Sequence, residues 1–354
     1  MKADSRYEAR QRGMTCPRRH YRSRGLRATV VGLALLAIAT LASAAGKTTL
    51  GVVNWIGYGP LYCAAANDFY KRHGADVKLV TFSDNSLMPG ALMGGEIDAS
   101  TLTYDQVVAS AAKGWRLKVV MPLDYSVGGD AILSSAAVRS VKDLKGRKVA
   151  FQPSSPSDFL MGYALTQAGL AAKDIQAVNA TPEGVVAIMA TGQVDAGVTY
   201  EPSVSMVLKL DGGKRYHVLL SSREARGMIT DVLAFRESTI AKDPKLVDAL
   251  IRGTLDGLAF MRQQPDKAVA IIAKVLEISP DDVRAQLKNV ENPPLAQLAD
   301  VFQKTAALPS FHASGTLIGD LLKKEGQIER LPSIEDTYDA RFVSEVQARP
   351  GDLR

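Results

Sequence analysis

The chain has 354 residues, of which 43 are Lys or Arg and 37 are Asp or Glu. The basic surplus lies at the amino end, because residues 1–44 hold nine of the basic and two of the acidic side chains. The remaining 34 basic and 35 acidic residues give a nearly neutral chain, so no excess of basic charge remains to suggest nucleic-acid binding.

The first 45 residues are predicted to be a cleavable secretory signal peptide. Five arginines between Arg18 and Arg27 precede an apolar run at residues 30–41, and small residues follow at 42–44. The apolar run is too short to cross a bilayer as a helix. A periplasmic protein is therefore expected, with either Met1 or Met14 as its true start.

The two cysteines do not predict a disulfide. Cys16 lies in the leader, and Cys63 has no remaining partner. The histidines of the mature chain are isolated in sequence, so neither a metal site nor a cofactor is expected.

From residue 48 the sequence alternates between strands and helices. Strands are predicted at residues 48–54, 77–81, 97–100 and 117–123, and helices at 61–72, 87–94 and 106–112. A polar loop follows each of the four strands, at 55–60, 83–86, 103–105 and 124–130. In an α/β fold such loops lie on one rim of one sheet.

Residues 140–202 predict a second α/β region. A helical turn at 141–144 precedes a strand at 148–151, a helix that Ser157 caps, a strand at 175–178, a helix at 182–190, and a strand that ends at Tyr200. Ligands of open α/β sheets bind at the carboxyl ends of strands, and helix amino ends attract anions there. The alternative is that Ser157 only caps a helix and Glu201 only precedes a turn.

The chain after Phe235 is predicted to be mainly helical. Asp243 and Pro244 begin one helix, and Ser279 and Pro280 begin another. These helices carry apolar faces and no candidate catalytic or binding residues, so they are predicted to be packing elements.

Several segments together resemble one protein family. They are Trp55 with Gly57 and Gly59-Pro60, residues 124–130, 140–146 and 192–196, and Tyr200-Glu201-Pro202. The mature chain is similar to type 2 periplasmic solute-binding proteins of the nitrate, taurine and sulfonate group, which deliver solutes to ABC importers.

The resemblance implies an α/β fold of two lobes that close on a ligand like a Venus flytrap. Lobe 1 would be discontinuous, with residues 46–127 and 232–354 and a C-terminal helical part packed on it, and lobe 2 would be 128–231. Two strands near 127–132 and 230–235 would cross between the lobes. A monomer that docks on an ABC permease is the expected state.

The resemblance and the loop positions together give a set of candidate ligand contacts, with no catalytic residue among them. Aromatic walls, hydroxyl and amide groups and carboxylates are all present. The candidates are Trp55, Tyr58, Ser83, Asn85, Thr103, Tyr104, Asp105, Asp124, Ser126, Ser154, Ser155, Ser157, Tyr200, Glu201 and Asp231. Trp55 and Tyr58 could instead be ordinary core residues.

The candidate loops contain five acidic residues, including Asp130, but no Lys or Arg. Buried anions are usually bound by arginine or by helix amino ends, so a ligand with an amine, amidine or amide group is expected. Amino-sulfonates, urea- or guanidine-like compounds and pyrimidine precursors of thiamine meet this description. The anionic group of a zwitterion would face the helix end at 154–157, and its cationic group would face Glu201 or Asp124. Alternatively, Asp124 and Asp130 only cap turns near the hinge.

Two other functions stay open. The same broad family includes enzymes of pyrimidine or thiamine precursor metabolism, but their cysteine-rich and histidine-bearing signature is missing here, as is a Gly-x-Ser-x-Gly elbow. An exported sensor that signals to a membrane kinase would use the same two-lobe fold.

Overall fold

The computed structural model describes residues 47–349. The predicted signal peptide lies outside the described residues. Within them, no helix has both the length and the apolar character needed to cross a membrane.

The strands of the described residues form two mixed sheets. In chain order they are β1 (Thr48–Val52), β2 (Val77–Thr81), β3 (Ala99–Thr103), β4 (Leu117–Ser126), β5 (Asp130–Ser135), β6 (Lys148–Phe151), β7 (Gln176–Asn179), β8 (Ala196–Tyr200), β9 (Tyr216–Ser221), β10 (Thr230–Arg236) and β11 (Val290–Glu291). The first sheet has the order β11-β4-β10-β3-β1-β2, and the second has the order β7-β6-β8-β5-β9.

Parallel pairs in each sheet come from strand–helix–strand units, and the antiparallel pairs come from the strands next to the connections. β1 pairs in parallel with β2 and β3, while β10 runs antiparallel to β3 and β4. In the second sheet β6 pairs in parallel with β7 and β8, while β5 runs antiparallel to β8 and β9. The chain leaves the first sheet after β4 and returns to it with β10.

The α-helices of residues 47–349 mostly begin at proline or a capping side chain. They are α1 (Gly59–Ala66), α2 (Phe69–Arg72), α3 (Met88–Gly94), α4 (Tyr104–Ala112), α5 (Pro156–Gln167), α6 (Pro182–Thr191), α7 (Ser203–Leu208), α8 (Glu237–Lys242), α9 (Pro244–Gln263), α10 (Pro265–Leu276), α11 (Pro280–Gln286), α12 (Phe311–Lys324) and α13 (Arg341–Ala348).

One buried apolar cluster runs through both sheets, because it includes Leu50 and Val232 of the first and Ile132 and Val198 of the second. A smaller cluster around Met189 packs on the second sheet. Apolar burial of this extent is the main force that holds such layers together.

The prediction of one helix over residues 61–72 is wrong. The structure has α1 and α2, separated at Asn67 and Asp68. The Asn67 side chain donates to the Cys63 carbonyl oxygen at 2.8 Å, and Asp68 adopts a φ of 56°. Asn and Asp tolerate this left-handed conformation, which ends an α-helix.

Two predicted loops belong in part to regular elements. Tyr104 and Asp105 form the first turn of α4, where the Gln106 side chain accepts a hydrogen bond from the Thr103 backbone N–H at 3.2 Å. Residues 124–126 continue β4, because β10 and β11 pair with them. Strand pairing over long sequence distances overrode the local turn signal.

The predicted capping residue of α5 is also wrong. The helix begins at Pro156, and the Ser155 hydroxyl accepts from the Ser157 backbone N–H at 3.2 Å. Proline at the first helical position lacks the N–H that would otherwise need a partner.

Candidate functional site

Trp55, Tyr58, Asp124 and Asp231 form a hydrogen-bonded group at the carboxyl ends of the first sheet, here termed the first wall. The Trp55 indole N–H donates to both Asp124 carboxylate oxygens at 3.1 and 3.2 Å. The Tyr58 hydroxyl donates to Asp231 Oδ1 at 2.5 Å. Asp124 and Asp231 face each other on β4 and β10, so two strands and one loop fix the group.

The carboxyl groups of the first wall resist ionisation. Burial raises the pKa of Asp124 and of Asp231, and the charge of Asp124 raises the pKa of Asp231 further. Burial and Asp231 also raise the pKa of the Tyr58 phenol, which stays a donor. Two buried carboxylates this close cannot both ionise without a compensating cation.

The loop after β1 turns tightly because Gly57 lies against the first wall. A Cβ at Gly57 would overlap the Trp55 indole nitrogen and the Asp124 carboxylate. The Asn292 side chain donates to the Gly57 and Leu123 carbonyl oxygens at 2.9 and 3.0 Å. The loop is thereby tied to the end of β4.

Asp130, Pro156 and Tyr200 form the second wall, which belongs to the second sheet and to α5. Tyr200 meets Trp55 edge to face, with ring centroids 5.8 Å apart. Asp130 is the register partner of Tyr200. Burial raises the pKa of Asp130 to about 7, and the charges of Asp105 and Glu201 add to the effect.

A small cavity of about 10 Å³, here termed the inner cavity, separates the two walls. This is room for about one water molecule, so any larger solute requires the walls to move apart. The lining residues come from both sheets and their loops. They are Val53, Trp55, Asn85, Thr103, Asp130, Pro156, Tyr200, Ile229 and Asp231.

A larger cavity of about 450 Å³, here termed the outer cavity, lies between α3, α4 and α5. Its lining includes Asp105, Ser154 and Ser155 from the predicted set. Gln106 lines it as well and donates to the backbone carbonyl oxygen of Asn85, a residue of the inner cavity, at 3.2 Å. A hydrogen bond therefore links a residue of the outer cavity to a residue of the inner cavity.

Hydroxyl groups organise the connections between the sheets. Ser126 at the end of β4 and Ser222 after β9 are hydrogen-bonded through their hydroxyls at 2.7 Å. The Asp130 backbone N–H donates to Ser126 Oγ at 3.1 Å, and the Gly128 N–H donates to Ser222 Oγ at 2.8 Å. Ser126 thus lies between the sheets as a connecting residue.

Some predicted residues face away from the inner cavity. Tyr104 stacks on Phe311 with centroids 4.1 Å apart, and its hydroxyl is hydrogen-bonded to Thr337 at 2.8 Å. The Glu201 carboxylate accepts from the backbone N–H and hydroxyl of Ser205 at 3.0 and 2.9 Å. Ser83 is exposed.

The structure adds residues that the sequence did not single out. Val53, Pro156 and Ile229 line the inner cavity, and Asn292 supports the first wall. Pro156 lies inside the predicted contact segment 154–157, and Val53 lies two residues before Trp55, so both could have been found from their positions. Ile229 directly precedes the strand predicted near 230–235 and could have been found in the same way. Asn292 carries no such signal, because only the tertiary fold brings it to the site.

Comparison with known proteins identifies the family of the chain. The family model described as NMT1/THI5 like matches residues 55–268. An Escherichia coli K12 protein named for binding aliphatic sulfonates is 30% identical over 238 residues, which is 66% of this chain and 73% of that protein.

Solved structures confirm the predicted α/β binding-protein fold. The alkanesulfonate-binding protein SsuA from Xanthomonas axonopodis pv. citri, bound to MOPS, superposes with a TM-score of 0.70 at 19% identity, over 84% of this chain and 100% of that one. The desulfurization enzyme DSZB shares the fold at 13% identity with a TM-score of 0.59, over 86% of this chain and 99% of that one. This fold therefore hosts both binding proteins and an enzyme.

Proposed function

The chain belongs to the NMT1/THI5-like family, and from this premise we propose that it is the solute-binding component of an ABC importer. It captures a small polar solute that contains nitrogen or sulfur and delivers it to a membrane permease. The relative named for aliphatic sulfonates supports a sulfonate- or taurine-like solute, and the acidic residues of the walls support an amine-bearing one.

The observation that carries the proposal is an inner cavity lined from both sheets. Trp55 and Asp231 contribute from the first sheet, and Asp130 and Tyr200 from the second. A ligand that contacts both walls favours the state in which they are close, and only such a ligand can drive closure. Closure would then be the signal that the permease recognises.

The lobe assignment follows the same proposal. Residues 46–127 and 232–354 form lobe 1, residues 128–231 form lobe 2, and residues 1–45 direct the chain to the periplasm. The two connections next to Ser126 and Ser222 act as the hinge. We keep Trp55, Tyr58, Asn85, Thr103 and Asp231 as first-lobe contacts, with Tyr200 opposite them.

The test combines binding with a measurement of closure. Purified protein is titrated calorimetrically with taurine, alkanesulfonates, nitrate, urea, guanidinium and thiamine precursors, and small-angle X-ray scattering then compares the free and bound states. A bound solute is expected to reduce the radius of gyration and to raise the melting temperature by a few degrees at about 100 times its Kd. A solute that binds without any change in the separation of the lobes would contradict the receptor mechanism.

An enzyme is the second candidate, since one neighbour in fold is a desulfurization enzyme. Catalysis requires a positioned acid, base or nucleophile, and Asp231 and Asp124 are the groups available at the first wall. Product formation from a bound solute, abolished by Asp231→Asn, would favour the enzyme over the receptor. Binding assays with the two kinds of partner would test a sensor role, because a sensor would bind a kinase ectodomain instead of a permease.

A further inference from the structure

We propose that the inner cavity selects a small organic cation, an ammonium or amidinium group, which it holds between Asp130 and Asp231. The inference rests on the proposed function, because it names the ligand class of the same site. It replaces Glu201 and Asp124, the acidic partners expected from the sequence, with two carboxyl groups that line the cavity from opposite sheets.

The charge of the cavity supports a cation. Asp130 and Asp231 face the cavity from the second and first sheets, and Asp124 lies beside Asp231. No Lys or Arg is among the described residues that line it. Arg223, near the hinge, instead donates to the Asn289 side chain at 3.0 Å. Buried carboxylates without a cationic partner are unfavourable, so a ligand that brings the positive charge gains the most.

A second observation also points to a ligand. Thr103 is 4% exposed, lines the inner cavity and faces Asp231 across the β3–β10 pair. Its hydroxyl oxygen has no hydrogen-bond partner among the described residues. An unpaired buried hydroxyl costs free energy. An N–H group of a ligand bound to Asp231 would satisfy it.

The aromatic residues suit the same ligand. Trp55 and Tyr200 meet edge to face on opposite sides of the cavity. The face of an indole or phenol ring attracts ammonium and guanidinium groups. A cation between the walls would therefore contact two carboxyl groups and the aromatic surface together.

The helix end nearest to the cleft is poorly suited to an anion. At the start of α5 the Ser154 N–H already donates to the Asp158 carboxylate at 2.9 Å, and the Ser157 N–H donates to Ser155 Oγ at 3.2 Å. A free anion would also meet the negative charge of Asp158. The anion-binding role expected for this helix end is therefore weakened.

Cation binding releases a proton in this arrangement. The charges of Asp105 and Glu201 act on the Asp130 carboxyl, which lies near Ser126. The charges of Asp124, Asp130 and Asp105 act on the Asp231 carboxyl, which accepts from the Tyr58 hydroxyl. Without a ligand, burial keeps at least one of these carboxyl groups protonated near neutral pH. A bound cation stabilises the carboxylate, and the displaced proton leaves to solvent. Cation affinity should therefore increase as the pH rises through about 7, by at most tenfold per pH unit for one proton.

The first experiment compares small ligands of different charge, among which guanidinium, urea and nitrate share a planar shape. Calorimetry at pH 8 with the purified protein uses guanidinium and methylammonium as cations, urea as the neutral analogue, and nitrate and ethanesulfonate as anions. The cations are expected to bind at least tenfold more tightly than urea and the anions. Tighter binding of urea or an anion would overturn the cation proposal but leave the receptor function standing.

A failure of every probe to bind would also overturn the cation proposal. The receptor function would then depend on its own test, the change in lobe separation. In wild-type protein, repeating the cation titration from pH 5.5 to pH 8 gives an independent result. Equal cation affinity across that range, with no proton released in buffers of different ionisation enthalpy, would contradict the mechanism.

Variants assign the effect to the inner cavity. Asp231→Asn and Asp130→Asn keep the side-chain shape and should weaken cation binding at least tenfold, with Asp130→Asn flattening the pH dependence. Asp158→Asn removes the same charge at the outer cavity and should change affinity less than twofold. An equal loss in all three variants would show a general field effect and overturn the assignment to Asp130 and Asp231.

Discussion

The two walls of the inner cavity are built in different ways. In the first wall, Trp55 and Tyr58 donate hydrogen bonds to Asp124 and Asp231, which lie side by side on neighbouring strands. The second wall presents Tyr200 mainly through ring packing against Trp55. The first wall is therefore held in place by side-chain hydrogen bonds of its own, whereas the second wall is held by the pairing of β5 with β8.

This difference suggests that the two walls have different roles in ligand binding. A preorganised wall loses little conformational freedom when a ligand arrives. The other wall can then move as a body and complete the site. The following predictions test whether the first wall is the more rigid and the more costly to disturb.

The largest effect is expected at Trp55. Trp55→Ala removes a large buried side chain and the donor to Asp124, and should lower the free energy of unfolding by about 3–5 kcal/mol. Trp55→Phe keeps an aromatic ring but leaves Asp124 without its indole donor, at a cost of about 1–3 kcal/mol. Urea denaturation measures both.

The matched control in the second wall is Tyr200→Phe. It removes one hydroxyl group and keeps the ring, so the expected cost is below about 1.5 kcal/mol. A cost for Tyr200→Phe equal to that of Trp55→Phe would contradict the proposed difference between the walls.

The next effect concerns the pH dependence of stability. Asp130 has a pKa of about 7 in the folded protein because of burial, whereas an unperturbed aspartate has a pKa of about 3.9. The folded state thus binds this proton more tightly. The resulting stabilisation is complete below about pH 4 and is lost as the pH rises through 7.

Asp130→Asn should remove this dependence. Between pH 5 and pH 8 the unfolding free energy of wild type should fall relative to the variant by on the order of 2 kcal/mol. Denaturation at both pH values measures the difference. Asp211→Asn, at an exposed position, should show the same change in unfolding free energy between the two pH values as wild type, within about 0.5 kcal/mol. If Asp130→Asn and wild type showed a similar change with pH, the role of Asp130 would be refuted.

A smaller effect is expected where the loop after β1 meets the first wall. Gly57→Ala forces a Cβ against Trp55 and Asp124 and should cost about 1–3 kcal/mol. Gly90→Ala is the control, because no heavy atom lies within 4 Å of its added Cβ in α3. It should stabilise the protein by up to about 1 kcal/mol, as thermal and urea denaturation can show.

The smallest effect is expected at a contact that joins the two sides. The Gln152 side chain, which follows β6, donates to Asp84 Oδ1, which follows β2, at 2.5 Å. Gln152→Met should weaken ligand binding by up to tenfold while stability changes by less than about 1 kcal/mol. Gln176→Met, on exposed β7, is the control and should leave the affinity for ligand unchanged. If Gln152→Met lowered the free energy of unfolding by more than the free energy of ligand binding, Gln152 would support the fold instead of closure.

Much of the fold was predictable because its signals are local. The predicted strands at 77–81 and 148–151 coincide with β2 and β6. Asp243 and Ser279 cap α9 and α11 as predicted, through hydrogen bonds to the backbone N–H groups of Leu246 and Asp282. Capping and alternation of apolar residues depend on neighbours in sequence, so the sequence reveals them.

The site was predictable only in part. Trp55, Asn85, Thr103, Tyr200 and Asp231 line the inner cavity from the predicted loops. The direction of each side chain depends on strand register and on partners far along the chain. Glu201 therefore contacts Ser205 on the next helix, although it directly follows Tyr200.

The sequence by itself determined the α/β class, the family and the absence of basic residues from the candidate loops, because these follow from composition, local periodicity and short motifs. Only the tertiary structure decided which carboxyl groups share a cavity. Asp130 and Asp231 are about a hundred residues apart in the chain and belong to different sheets. Their approach depends on packing between those sheets, and no local pattern encodes it.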